Sequence, residues 1–253
     1  MIKLENVSVG YGKENVLNNI SLSISKGKLV TVIGANGSGK TTLLKAIVGI
    51  LPKTNGEIFI EEKSATDLSR QDIAKKISYL AQGKTTPDIT VEQMVLHGRY
   101  PHLSFPRKYS EKDREIAENS LKQMGISELS QRNMSSLSGG MRQNAYIAMA
   151  LAQDTDYIML DEPTTYLDIS NQLELMKTLR TLADNGKGIV AVMHDLPLAF
   201  TFSDLIVVIN NGEIAEMGTP KELYEKNVIK ELFDISLEYS EKTCSYSYLF
   251  CKN

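Results

Sequence analysis

The chain has 253 residues, 42% of them hydrophobic and 23% charged, with a formal net charge of −3 at pH 7. That length fits one large α/β domain or one core with an inserted subdomain. The charge balance, with no dense Lys/Arg run, gives no electrostatic reason to seek nucleic acid. No stretch approaches the roughly 18–20 apolar residues of a membrane span. The opening "MIKLENVSVG" lacks the basic-then-apolar pattern of a signal peptide, so a cytosolic chain is expected, held at a membrane only by a partner. The two cysteines, Cys244 and Cys251, read as incidental: a reducing compartment disfavours a disulfide, and two thiols make a poor zinc site.

In chain order, "IKLENVSVGY" alternates Ile2 and Leu4, then Val7 and Val9, and "SLSIS" and "GEIFIEE" repeat that period of two. These are amphipathic antiparallel strands. Among them "LVTVIG" is a continuous apolar run suited to a buried parallel strand, as are "YIMLD" (157–161), "GIVAVMH" (188–194) and "LIVVI" (205–209). Helical segments between them imply a mostly parallel sheet with helices packed on it. Residues 85–154 contain no such run. "SEKDREIAENSLKQMG" opens with a Ser110/Asp113 capping box and stops at Gly125, and "RQNAYIAMALAQD" is a second helix former. That stretch predicts a helical insert. "TPKELYEKNVIKELF" predicts a helix capped by Thr219, with Pro220 at its first position and Glu222 closing the box. "ISLEYSEKTCSYSYLFC" predicts a terminal hairpin. The expected division is a core with its β-layer (1–84 and 155–225), a helical subdomain (85–154) and a C-terminal helix end with hairpin (226–253).

"GANGSGKT" (34–41) matches G-x-x-x-x-G-K-[ST] between a strand and the helix "TTLLKAIVG". Gly34, Gly37 and Gly39 let the chain curl so that successive amides, with Ala35, Asn36, Ser38 and Thr42 in the same turn, point at phosphates. Lys40 reaches the β- and γ-phosphates and the Thr41 hydroxyl ligates Mg²⁺. The motif predicts binding of ATP or another nucleoside triphosphate. "YIMLDEP" then ends a buried strand in two carboxylates, where open α/β sheets bind ligands. Asp161 is placed to hold Mg²⁺, and Glu162 to act as general base toward water, which implies hydrolysis rather than phosphorylation of an acceptor.

"LSGGM" (137–141) is a second glycine loop, about a hundred residues downstream. Ser138 with the Gly139 and Gly140 amides can form an anion-binding nest at a helix start. The order "LSGGM", "RQ", "LDEP" resembles the ATP-binding cassette ATPases, the motor subunits of ABC transporters, over essentially the whole chain. The resemblance implies a P-loop NTPase (RecA-like) fold with an antiparallel β-subdomain and an inserted α-helical subdomain. It also implies that Leu137 to Met141 serve the ATP of a second copy in a head-to-tail dimer. Met141 stands where the family has Gln or Glu, and Asn144 where Arg is frequent; loss of a transition-state donor costs about 10²–10³ in rate, so these departures bear on turnover rather than closure. By the same resemblance Tyr11 stacks on adenine, Gln82 touches Mg²⁺ and water, Asp168 communicates across the dimer, and His194 contacts the γ-phosphate.

"HGRYPH" (97–102) and "DEPTTYLDIS" (161–170) are similar to importers of iron–siderophore complexes, haem or vitamin B12. That likeness implies two integral-membrane permease subunits gripped beside Gln82, an extracytoplasmic substrate-binding protein, and a place on the cytoplasmic face of the inner membrane. The alternatives are a soluble cassette ATPase acting on ribosomes or DNA, a phosphate-loop kinase or nucleotide switch, and a regulatory ATP-binding module with little turnover.

Overall fold

The structure is a computed structural model that describes residues 1–12, 14–83, 86–165 and 167–249. Cys251 lies outside the described residues; Cys244 is exposed and free. The N-terminal layer is an antiparallel sheet of β1 (Ile2–Tyr11), β2 (Glu14–Ile24), β4 (Lys53–Ile60) and the two-residue β5 (Lys63–Ser64), in the order β2-β1-β4-β5. The change of parity from Ile2/Leu4 to Val7/Val9 is a bulge: Asn6 is left-handed (φ 49°) and the β1–β2 register shifts between Leu4 and Val7. Asn19 (φ 52°) does the same on β2, so Leu17 and Ile20, of opposite parity, both stay inside. One extra residue per strand restores the buried face after the slip.

The core sheet runs β10-β9-β3-β8-β7-β6, from β3 (Leu29–Gly34), β6 (Ile77–Leu80), β7 (Tyr157–Asp161), β8 (Gly188–Val192), β9 (Leu205–Asn210) and β10 (Glu213–Gly218). All neighbours are parallel except β9 and β10. Both faces are covered, which is why these strands read as unbroken apolar runs. Alternate residues of β7 and β8 (Tyr157 and Met159, Val190 and Val192) pack toward the antiparallel layer and α1 (Lys40–Ile47); Ile158, Leu160, Ile189 and Ala191 pack toward the helices. The edge strand β6 follows the short α2 (Arg70–Ala74); its four residues do not stand out in the sequence.

Residues 86–152 hold α3 (Val91–Leu96), α4 (Glu111–Gln123) and α5 (Gly139–Ala152), and among the described residues there the only ladder contact is one Thr90–Asn133 bridge. The Ser110/Asp113 box is present and Gly125 closes α4 with φ 65°. Asp113 also accepts from Arg99 Nε at 2.9 Å, and Arg99 Nη1 donates to Ala152 O at the end of α5, so one buried ion pair ties α4 and α5 to the turn that follows α3. Burial opposes ionisation of Asp113, yet the Ser110 hydroxyl and amide and the Arg99 guanidinium together pull its pKa to about 2. Asp113→Ala strands the Arg99 charge and is expected to cost about 3 kcal/mol at neutral pH by urea unfolding. A carboxyl depressed on folding stabilises only while it is ionised in the native state. The gap between wild type and variant therefore narrows as pH falls from the ordinary 3.8 toward about 2.

After β7 come α6 (Ile169–Asp184), α7 (Leu196–Phe202), α8 (Pro220–Glu225), α9 (Val228–Phe233), and the hairpin of β11 (Leu237–Ser240) and β12 (Ser245–Tyr248). The Thr219/Glu222 box caps α8 as expected, but the helix expected through Phe233 is split: Asn227 turns left-handed (φ 55°) and starts α9. Among the described residues no helix is long and apolar enough to cross a membrane.

Candidate functional site

Parallel register aligns the carboxyl ends of the central strands. Leu80 pairs with Leu160 and Asp161 with Val192. Gln82, Glu162 and His194 each lie two residues beyond one of these positions, on three adjacent strands, where an open sheet presents its ligand edge. Separated by up to 112 residues in sequence (82 to 194), they form one chain of contacts. Gln82 Nε2 donates to Glu162 Oε2 at 2.5 Å, and His194 Nε2 lies 2.7 Å from Glu162 Oε1. Thr165 Oγ1 adds a third contact to Oε2 at 3.3 Å. Glu162 takes a left-handed backbone (φ 53°), which costs a non-glycine residue on the order of 1 kcal/mol and turns the carboxylate out of the strand line toward its partners.

The phosphate loop leaves β3 at the same edge. At Gly34 a Cβ would stand 2.3 Å from Ile209 O, and at Gly39 (φ 110°) 2.4 Å from Leu17 Cδ2, so neither position admits a side chain. Lys40 is folded back into the loop, with Nζ donating to Gly34 O and Ala35 O at 2.9 Å each. Burial lowers its pKa against the raising effect of Glu162 and Asp161. The Ser38 hydroxyl is buried in the loop and has no hydrogen-bond partner among the described residues. Thr41 Oγ1 donates to Asp161 Oδ1 at 3.0 Å, and Tyr79 Oη to Asp161 Oδ2 at 3.3 Å. Burial raises the Asp161 pKa, with the Glu162 charge adding to it, and also raises that of Tyr79, again helped by Asp161.

A cavity of about 630 Å³ opens between these groups, lined by Asn36, Gly37, Gly39, Lys40, Thr41, Thr42, Gln82, Glu162 and His194, with Val16 on its apolar side. The donor set fits a Mg·nucleotide. Among the described residues no cluster of three or more His, Cys, Asp or Glu could hold a metal alone. One hydroxyl and one carboxylate, Thr41 and Asp161, are what Mg²⁺ takes from a protein when phosphates and water complete its shell. The orphaned Ser38 hydroxyl and a lysine bonded only to carbonyls are groups that a phosphate would satisfy.

Other expected residues lie apart from this cavity. Tyr11 ends β1, 54% exposed, and does not line the cavity, although Val16 of the neighbouring strand does. Ser138 is the N-cap of α5, its hydroxyl accepting from Met141 N at 3.3 Å. Leu137 is buried in the helical core and Met141 is exposed; Gly139 borders a second cleft shared with Gln82, Arg142, Gln143 and Glu162. Asp168 caps α6 through Asn171 N and Nδ2. Sequence reasoning missed Tyr79, Thr165 and Gln143. Gln143 Nε2 donates to Pro163 O and so joins α5 to the turn carrying Glu162. Tyr79 alone carried a signal, as the polar tip in the short run "ISYL".

Residues 17–165 match the ABC transporter family. Over 94% of its length the chain is 38% identical to the petrobactin import ATP-binding protein FpuD of Bacillus anthracis, covering 88% of that protein. Identity is 38% to the iron(3+)-hydroxamate import ATP-binding protein FhuC of Bacillus subtilis (94% of this chain, 89% of FhuC). It is 36% to the ferric enterobactin transport ATP-binding protein FepC of Escherichia coli (91% and 86%). Among solved structures, an ATP-binding cassette seen as a dimer in a post-hydrolysis state with ADP and Pi superposes with a TM-score of 0.76 at 29% identity, over 87% of this chain and 99% of that one. With the phosphate loop, the Thr41–Asp161 pair and the Glu162 cluster at one sheet edge, the chain belongs to the ABC transporter family, as one of its ATP-hydrolysing cassettes.

Proposed function

We propose that this chain drives a bacterial importer for iron–siderophore, haem or cobalamin-type cargo, bound through two permease subunits to the cytoplasmic face of the inner membrane and served by an extracytoplasmic binding protein. The observation that carries the import reading is the run of siderophore-import relatives, at 36–38% identity over nine-tenths of the chain. The two-lobe division at residues 85–154 belongs to the proposal, with permease segments riding in the grooves beside Gln82.

In this reading Lys40, Ser38 and the loop amides hold the β- and γ-phosphates, and Tyr11 stacks on adenine. Thr41, Asp161 and Gln82 hold Mg²⁺, which when bound neutralises charge on the transferred phosphoryl group. Glu162 takes a proton from the attacking water; the new bond forms at the γ-phosphorus as the bond to the ADP oxygen breaks. His194 donates to the γ-phosphate, and Gln82 links the water site to the helical lobe. Glu162 is engaged by Gln82, Thr165 and His194, contacts that orient its carboxylate for that step. Ser138, Gly139 and Gly140 close on the phosphates of a second copy, and Asp168 lies on the shared face. Purification of the tagged chain from its native membranes in mild detergent tests the import reading. Recovery of a many-span permease is the expected result; recovery of only ribosomal or DNA-associated proteins would overturn the importer and leave the ATPase chemistry standing.

A further inference from the structure

A helix of seven residues has little stability of its own, and α7 starts two residues after His194. The fate of its first-turn donors is therefore informative. Leu198 N donates to Asp195 Oδ1 at 2.9 Å and Ala199 N to Asp195 O at 3.0 Å; Pro197 has no N–H. That leaves Leu196 N, on a residue only 6% exposed. Its acceptor is the hydroxyl of Tyr248, 52 residues further along the chain, at 3.3 Å. A buried amide without an acceptor is costly, so this contact has a consequence at the helix entrance.

Tyr248 reaches that point because the hairpin is seated on α7. The Tyr246 ring meets Phe200 edge-on at 5.3 Å and Tyr224 at 5.5 Å, and Tyr246 N donates to Thr201 Oγ1 at 3.1 Å. Leu249 N donates to Ser236 O and closes the hairpin's open end. On the other side of His194 the backbone is fixed to the sheet, Met193 N donating to Val32 O at 3.1 Å. Only His194 and Asp195 lie between these two anchors. The 2.7 Å approach of the imidazole to Glu162 depends on where both anchors stand.

We propose that Tyr248 is a positioning residue for ATP hydrolysis: by accepting the Leu196 N–H, its hydroxyl fixes the entry turn of α7 and with it the reach of His194 into the site. The C-terminal hairpin is thereby part of the ATPase machinery rather than a cover for the core. The inference rests on the role given to His194 above.

Tyr248→Phe removes the hydroxyl and keeps the ring. In the full chain it is expected to lower kcat for Mg·ATP about ten-fold with KM unchanged within about two-fold. The chain has three histidines, so their imidazole ¹⁵N resonances can be followed separately. Those of His194 are expected to move while those of His97 and His102 hold, a pattern that general loosening would not give. Unmoved His194 resonances, or unchanged kcat, would overturn the proposal. His194→Ala separates the two possible failures. If it loses activity while Tyr248→Phe loses none, the role of His194 stands and the positioning claim falls. If His194→Ala retains full kcat, the role given to His194 is wrong and the positioning claim falls with it.

Discussion

Glu162→Gln is expected to reduce ATP hydrolysis about 10³-fold, within the range by which a positioned general base accelerates proton transfer, while leaving ATP affinity near that of the wild type. The amide has the carboxylate's size and can keep contacts to Gln82, Thr165 and His194, so the loss reports the base and not the fold. No other described carboxylate is placed to substitute. Asp161 is buried, 2% exposed, and engaged by Thr41 and Tyr79 on both oxygens. Phosphate release under saturating Mg·ATP measures the rate, and equilibrium binding of ATP measures the affinity. A variant hydrolysing within ten-fold of wild type would remove Glu162 from the role of base and direct attention to His194.

Lys40→Ala is expected to weaken ATP binding about 10²–10³-fold. Hydrogen bonds to charged groups contribute roughly 1.5–3 kcal/mol each, and two phosphate contacts at the lower figure already amount to about 3 kcal/mol, or two decades. Lys40 Nζ donates to the carbonyls of Gly34 and Ala35, which holds the ammonium over the loop. The fold should survive, since α1 keeps Leu43, Leu44 and Ile47 in the core. Titration calorimetry with Mg·ATP gives the affinity directly. Loss of binding without loss of the thermal transition is the predicted pair of results; unaltered affinity would mean that the phosphates are held by the amides alone.

What was legible in the sequence was whatever is encoded locally. The phosphate loop, both capping boxes and the buried strands each lie within a dozen residues, where spacing and residue type suffice. The bulge in β1 is visible as a switch of apolar parity between Leu4 and Val7 once its meaning is known. The rest is long-range. Four-residue β6 carries too short a pattern to announce itself, and Asn227 splits the last helix because one residue adopts a left-handed turn that propensity does not force. Arg99 with Asp113, Tyr79 with Asp161 and Tyr248 with Leu196 are pairings of distant residues that no periodicity encodes. The site shows the same division. Lys40, Thr41, Asp161 and Glu162 follow from motif chemistry, Gln82 and His194 from likeness to a family, and their meeting at one carboxylate from strand register alone.

The head-to-tail closure is the central proposal, because it gives the exposed part of the "LSGGM" loop a purpose beyond the N-cap that Ser138 makes for α5. Sedimentation velocity of Glu162→Gln, with and without Mg·ATP, tests it, alongside the same protein carrying Ser138→Arg. The account predicts an ATP-dependent dimer that the second substitution abolishes while ATP still binds. A chain that stays monomeric with ATP bound, or a dimer indifferent to Ser138→Arg, would contradict it.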